Sequence, residues 1–435
     1  MFGRKGLRLP TSLVAFAAVF SSLVDAELQT RQQQQKNAKP LGEVLGGNPD
    51  LSIYYDLLKN NTDILFQIPN LDGVTLIAPS NEAFNKSQEF KPDNATWVTS
   101  TLQYHIVRGV ISAESLKVGP SIFAPTLLTS KAYTNVSTGQ NLIITRQDED
   151  TVVITSGLGA RSTVTETDIP FSGGLVQIVD TLLVPPATLE LTARDAYKDL
   201  TGFLGALYST DLISEFSTTS GVTILAPRNS ALQKIASPLG SLSKDQLRSV
   251  LKYHLIPNQV IPASSFFVPA KNFTNGTLDS ALSGKKVRTT RLGNTLFFNR
   301  AQLLQADVLI ANGVLHIIDG VLNPDLEDAQ QAPEEDAKTQ PAAFNQPATG
   351  AQTSTGTKVP VPFTSYLPCT VDCPVPTESV TVQSAATATA TTGREFSTRT
   401  SSGKGAARCT GMGLSGVGVV AAAAGVLGAG MGVIV

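Results

Sequence analysis

The raw material for chemistry is sparse: three histidines, three cysteines and one tryptophan in 435 residues. His105, His254 and His316 are too few and too scattered for a multi-histidine metal centre. Cys369 and Cys373 come late and Cys409 precedes an apolar end, so residues 1–368 contain no thiol nucleophile. In an oxidising compartment Cys369 and Cys373 can close a local loop or bond to another chain; a zinc site needs more ligands than their segment holds. No Gly-x-Ser-x-Gly, His-Glu-x-x-His or phosphate loop occurs. Asp180 and Asp319 stand at matching places, but a lone carboxylate in each supplies no nucleophile–base pair. The expectation is a protein with no catalytic residue, no metal and no cofactor. Charged residues make up 16% and the net charge is −2, without the basic stripe of a nucleic-acid binder.

The elements that carry these residues occur twice. Val74-Thr75-Leu76-Ile77-Ala78-Pro79-Ser80-Asn81-Glu82-Ala83-Phe84 returns as Val222-Thr223-Ile224-Leu225-Ala226-Pro227-Arg228-Asn229-Ser230-Ala231-Leu232. Tyr104-His105 returns as Tyr253-His254, and Gly174-Leu175-Val176-Gln177-Ile178-Val179-Asp180 as Gly313-Val314-Leu315-His316-Ile317-Ile318-Asp319. Three matches in one order define a duplicated module, at 40–186 and 187–324. The first block predicts a buried strand ended by proline, then a helix that Ser80 or Asn81, and Asn229, would cap. Val98, Thr101, Leu102 and His105 fall at i, i+3, i+4 and i+7, as do Leu247, Val250, Leu251 and His254, so both histidines should face inward, neutral and hydrogen-bonded. The third block predicts a strand buried on both sides. It contains an internal control: where the second copy has His316, the first has Gln177, which cannot shuttle protons.

The flanks set the compartment. Arg4, Lys5 and Arg8, the apolar run Leu13 to Leu23 and the small residues near Ala26 predict a secretory leader over 1–26. Residues 325–413 are rich in Ser, Thr and Pro and show no helical or strand period, which predicts a disordered, O-glycosylated stalk. Ser401, Ser402 and Gly403, a polar spacer and the uncharged tail 414–435 follow the layout of a glycosylphosphatidylinositol signal. A transmembrane helix is the alternative for that tail. Asn-x-Ser/Thr sequons at Asn60, Asn85, Asn94, Asn135, Asn272 and Asn275 fit a secreted glycoprotein.

The Thr-Leu-Ile-Ala-Pro-Ser-Asn-Glu-Ala-Phe block, the Tyr-His pair and the Gly-x-x-His-x-Ile-Asp close strongly resemble the fasciclin domain, in both copies. The resemblance implies an α+β fold: two tandem domains, each a β-wedge or sandwich with packed helices. It also implies an extracellular, often lipid-anchored protein of adhesion and matrix organisation. In animal members the Tyr-His region is tied to integrin binding, which would fall on Tyr104-His105 and Tyr253-His254. The sequence has no Arg-Gly-Asp, and its stalk and tail look like those of a fungal surface protein, so that role is not carried over. The expected function is a non-enzymatic adhesion or matrix protein on the outer face of the plasma membrane or in the cell wall. Its partners would be matrix or cell-wall glycans and proteins, the membrane through a lipid anchor, and weakly a second copy. The motif residues Asn81, Tyr104, His105, Asn229, Tyr253, His254 and His316 would then be structural or adhesive. The alternative is a lumenal protein of the vacuolar membrane that assists membrane contact or fusion.

Overall fold

Val74-Thr75-Leu76-Ile77-Ala78 is apolar and partly β-branched, and it forms strand β1 (Val74–Pro79), buried along its whole length. A computed structural model describes residues 38–68, 71, 73–88, 90–267, 276–334, 340–344 and 359–368. The chain divides into two compact units, Met1–Pro368 and Cys369–Val435. The second unit lies outside the described residues, as do the leader 1–26, the attachment residues Ser401, Ser402 and Gly403, the tail 414–435, Cys369, Cys373, Asn272 and Asn275.

In the first module β1 is followed by β2 (Ile106–Arg108), β3 (Ser121–Pro125), β4 (Asn141–Arg146), β5 (Val152–Thr155), β6 (Arg161–Phe171) and β7 (Gly174–Val179), in the sheet order β2-β1-β7-β6-β5-β4-β3. All neighbours are antiparallel except β1 and β7, which run parallel from Val74↔Gly174 to Pro79↔Val179. A bridge between Val107 and Thr126 brings the two edges together, so the sheet is nearly closed. The second module repeats this with β8 (Val222–Pro227), β9 (Leu255–Ile256), β10 (Thr277–Asp279), β11 (Lys286–Leu292), β12 (Thr295–Phe298), β13 (Ala301–Ile310) and β14 (Gly313–Ile318), β8 and β14 being the parallel pair. Glycine opens β7 and β14 because the strands approach too closely for a side chain: a Cβ on Gly174 would lie 1.8 Å from the Val74 carbonyl oxygen, and one on Gly313 2.0 Å from that of Val222.

Strand alternation divides each module into two cores. Leu76 and Ala78 face a core under the helices with Tyr54, Phe84, Trp97 and Leu102, while Ile77 faces a second core inside the curled sheet with Tyr104, Leu142 and Val179. In the second module Ile224 and Ala226 face Phe203, Phe216 and Leu251, and Leu225 faces Tyr253, Phe266 and Phe298. Three helices of the first module carry or contact the repeated motifs: α1 (Ser52–Asn60), α2 (Asn81–Lys86) and α3 (Ala95–Tyr104). They are matched in the second by α4 (Thr201–Ser209), α5 (Asn229–Lys234) and α6 (Lys244–Tyr253).

The stalk expected from residue 325 does not begin there as loose chain. Phe344 is buried in the helix-side core of the second module, and Phe363 and Leu367 pack against it. A few apolar side chains suffice for this because they join an existing core and need not form their own.

Candidate functional site

The Tyr-His pairs close α3 and α6, and all four side chains are buried. Nδ1 of His105 lies 2.7 Å from the Thr101 carbonyl, and Nε2 accepts the Leu183 N–H at 3.1 Å. These partners fix the tautomer: Nδ1 carries the proton. His254 has the same arrangement, with the Val250 carbonyl at 2.8 Å and the Leu322 N–H at 3.0 Å. Each ring therefore ties the helix end to the segment after the last strand. Burial lowers both pKa values to about 4, partly opposed by the carbonyl on Nδ1. Tyr104 donates its hydroxyl proton to the Asn141 carbonyl at 3.0 Å, and Tyr253 to that of Lys286 at 2.7 Å. Imidazole and phenol alike are turned away from any external ligand.

Asn81 and Asn229 do not cap the helices that follow them. Ser80 caps α2, accepting the Ala83 N–H at 3.2 Å, and Arg228 precedes α5 without a side-chain cap. Asn81 reaches back to α1: Oδ1 accepts the Ile53 N–H at 3.0 Å, and Nδ2 donates to the Pro49 carbonyl and Ser52 Oγ. Asn229 treats α4 alike, accepting from Gly202 N–H at 2.8 Å and donating to the Lys198 carbonyl and Thr201 Oγ1. Neither α1 nor α4 has a local cap, so a distant asparagine satisfies a first-turn N–H that would otherwise lack an acceptor.

At the third motif the two modules use different side chains for one task. In the second, His316 Nδ1 accepts the Asp307 N–H at 3.2 Å and Nε2 donates to the Ile261 carbonyl at 2.9 Å. In the first, Gln177 Oε1 accepts the Asp168 N–H at 2.9 Å and Nε2 donates to the Ile111 carbonyl at 3.2 Å. Asp168 and Asp307 have φ of 59° and 57° where β6 and β13 bulge. Their carboxylates accept the N–H of Ala113 and of Ala263. Burial lowers the pKa of His316 against the opposing pull of Asp307. The two aspartates lie outside the three repeated blocks; the only sequence sign of them is their shared place, nine residues before Gln177 and before His316.

At the junction of the modules Thr134 and Gln140 lie outside the repeated blocks, and Asn135 is one of the sequons. Gln140 is fully buried and donates to the Ile310 carbonyl at 3.1 Å. Thr134 Oγ1 and the Asn135 N–H both donate to the Ala311 carbonyl. Asn135 Nδ2, the atom a glycan would occupy, donates to the Thr218 carbonyl at 2.6 Å. The other described sequons, Asn60, Asn85 and Asn94, are exposed on the helical side of the first module. In the second module a cavity of about 160 Å³ lies between the β12–β13 turn and residues 340–343, lined among others by Arg300, Asp319 and Gln331. Among the described residues no group of three His, Cys, Asp or Glu could hold a metal ion, and no helix is long and apolar enough to cross a membrane.

Known proteins match both modules. The Fasciclin domain family matches residues 49–185 and 198–324. A fasciclin-like arabinogalactan protein of Arthroderma benhamiae is 27% identical over 314 residues, 71% of this chain and 71% of that relative. Another, from Phaeosphaeria nodorum, is 30% identical over 298 residues, 66% of this chain and 90% of the relative. The transforming growth factor-beta-induced protein ig-h3 of Oryctolagus cuniculus is 23% identical over 71% of this chain and 41% of its own length. Among solved structures, a domain pair from the insect cell adhesion molecule fasciclin I covers 66% of this chain and 100% of its own, at 20% identity and a TM-score of 0.31. Matched in both modules over more than half of its length, the chain belongs to the fasciclin family.

Proposed function

We propose that this protein is a non-enzymatic surface glycoprotein whose paired fasciclin modules make adhesive contacts with matrix or cell-wall glycans and proteins. The observation that carries the reading is the use made of the polar motifs. All three imidazoles are buried and bonded to backbone groups, so the modules offer solvent a shaped polar exterior in place of reactive side chains. Hydrogen bonds from Thr134, Asn135 and Gln140 to the second module set both heads in one geometry, which suits weak contacts made in parallel. Secretion by a leader over 1–26, a lipid anchor at Ser401, Ser402 or Gly403, and residence on the outer plasma membrane or in the cell wall belong to the same proposal. The test is an array of glycans and matrix proteins probed with the purified mature chain. Saturable binding that persists in a His316→Gln variant supports the reading. An array without binding, together with turnover of a small substrate, would replace it with an enzyme.

A further inference from the structure

The cavity of the second module takes in an arginine whose counterpart in the first module stands in water. The Gln302 N–H donates to Asp319 Oδ1 as the Thr163 N–H does to Asp180 Oδ1, both at 2.8 Å. Arg300 and Arg161, each two residues earlier, therefore hold equivalent positions. Arg161 is exposed. Arg300 shares its cavity with the chain that follows the last strand, from Leu326 and Gln331 to residues 340–343. Its side chain is 20% exposed, and its Nε is buried without a hydrogen-bond partner. Glu334 stands 3.9 Å from Nη2, too far for a hydrogen bond, and is itself more than half exposed, so water screens the pair.

A buried donor without an acceptor is costly, and more so when it is charged. The neighbouring amides offer Arg300 no relief, because each is bonded at both ends. Asn299 accepts from the Arg288 N–H and donates to Tyr253 Oη. Gln331 accepts from Tyr253 and donates to the Leu326 carbonyl, and Gln340 bonds twice to the Glu334 backbone. Of the two other charged groups in the lining, Lys234 and Asp319, the carboxylate is engaged by the Gln302 N–H. The rest of the wall is largely apolar, with Ala231, Ile235, Val321, Leu322 and Pro341. The volume of about 160 Å³ is close to that of cavities known to hold benzene, about 150 Å³.

We infer that this cavity binds a small monocarboxylic acid with an apolar body of about one six-membered ring, its carboxylate accepting from Arg300. A carboxylate has two oxygens and one charge, which match the guanidinium fork. A phosphate or sulfate would bring further oxygens against the apolar wall, where no donor meets them. The hydroxyls of a sugar acid would meet the same wall and amides that are already bonded, so the ring is apolar. The site is separate from the adhesive reading of the heads and stands whether or not they bind glycans.

Calorimetric titration of the purified mature chain with benzoate, benzyl alcohol and glucuronate, each to about 10 mM, tests this. Benzoate should bind with one-to-one stoichiometry and more tightly than either of the others. Arg300→Met should weaken it about ten-fold or more, the worth of a hydrogen bond to a charged group. Arg300→Lys, which keeps the charge and loses the fork, should fall between, and Arg161→Met should change nothing. Thermal unfolding checks that the variants fold, and the lysine variant carries the test if the methionine variant does not. Absence of benzoate binding, or binding that both Arg300 variants leave unchanged, overturns the site. Benzyl alcohol binding as tightly as benzoate overturns the role of the carboxylate, and glucuronate binding as tightly overturns the apolar ring.

Discussion

At the bulge of the long strand, Gln177 in the first module and His316 in the second each accept one backbone N–H and donate to one backbone carbonyl, with an aspartate of positive φ beside them. The protein thus contains its own substitution experiment. A side chain that cannot titrate near neutral pH serves one module, so the other module's imidazole acts there as a neutral donor–acceptor. The contrast at the first helix points the other way. Ile53 and Asp56 give the first module an ordinary helix surface, whereas Gly202 and Gly205 open the second to Val361 and Phe363. Equivalent positions that keep the same partners are scaffold; equivalent positions that have exchanged bulk for glycine have acquired a new contact.

The largest effects should come where the modules are most alike. Gly174→Ala and Gly313→Ala each drive a methyl group into a backbone carbonyl, and neither β1–β7 nor β8–β14 can give way without losing its parallel pairing. Each substitution should cost about 3 kcal/mol or more. Denaturant unfolding measures it, and a large loss for one glycine with none for the other would break the equivalence of the two sheets.

Acid should come next. His105 and His254 titrate at about 4 when folded, because burial disfavours the charged ring, against about 6.5 in an unfolded chain. Between those values the unfolded chain binds more protons. Stability is therefore complete above about pH 6.5 and falls as the pH drops toward 4, by about 3 kcal/mol for each ring. Unfolding midpoints from pH 7.5 to 4 should show this slope. His105→Gln or His254→Gln should lower stability at pH 7.5 and flatten the slope. A slope that neither variant changes would show that the rings contribute nothing to the acid response.

Removing the long-range caps should cost less. Asn81→Ala leaves the Ile53 N–H without its acceptor, and Asn229→Ala does the same to Gly202. Loss of a cap typically costs about 1 kcal/mol, so both variants should melt a few degrees lower. Equal shifts would show that the opened α4 depends on its asparagine no more than α1 does. A larger shift for Asn229→Ala would mean that the packing of Val361 and Phe363 on α4 relies on that fixed helix start.

Much of this architecture is legible in the sequence, and the remainder has physical reasons for being hidden. The duplication, the inward face of α3 and α6 and the Gln177–His316 equivalence follow from spacing, because helix and strand periods are local. The role of Asn81 does not, since an asparagine before a helix satisfies the local capping rule equally well, and only the fold brings Ile53 near it. Gln140 is silent for the same reason: its partner Ile310 is 170 residues away. The packing of residues 359–368 is hidden by their composition. A Ser/Thr/Pro-rich segment cannot build a core, but Phe344, Phe363 and Leu367 have only to join one.

The sharpest use of the internal comparison is the reciprocal exchange of Gln177 and His316. In His316→Gln the amide oxygen can accept the Asp307 N–H and the amide nitrogen can donate to the Ile261 carbonyl, as Gln177 does with Asp168 and Ile111. What is lost is ring contact, since His316 lies 6.1 Å from the Phe298 ring and 6.2 Å from that of Phe266. Each such pair contributes about 0.5–1.5 kcal/mol, so losing both should cost about 1–3 kcal/mol at pH 7. The variant should also become less sensitive to acid, because a group whose folded pKa is lowered has been removed. Gln177→His should do the reverse, adding acid sensitivity to the first module, where Gln177 is 5% exposed. Unfolding of the two single variants and the double exchange at pH 7 and pH 5 reads both quantities. If His316→Gln proves as damaging as His316→Ala, the ring itself is required, and the two modules hold their long strands by different means although they share two backbone hydrogen bonds.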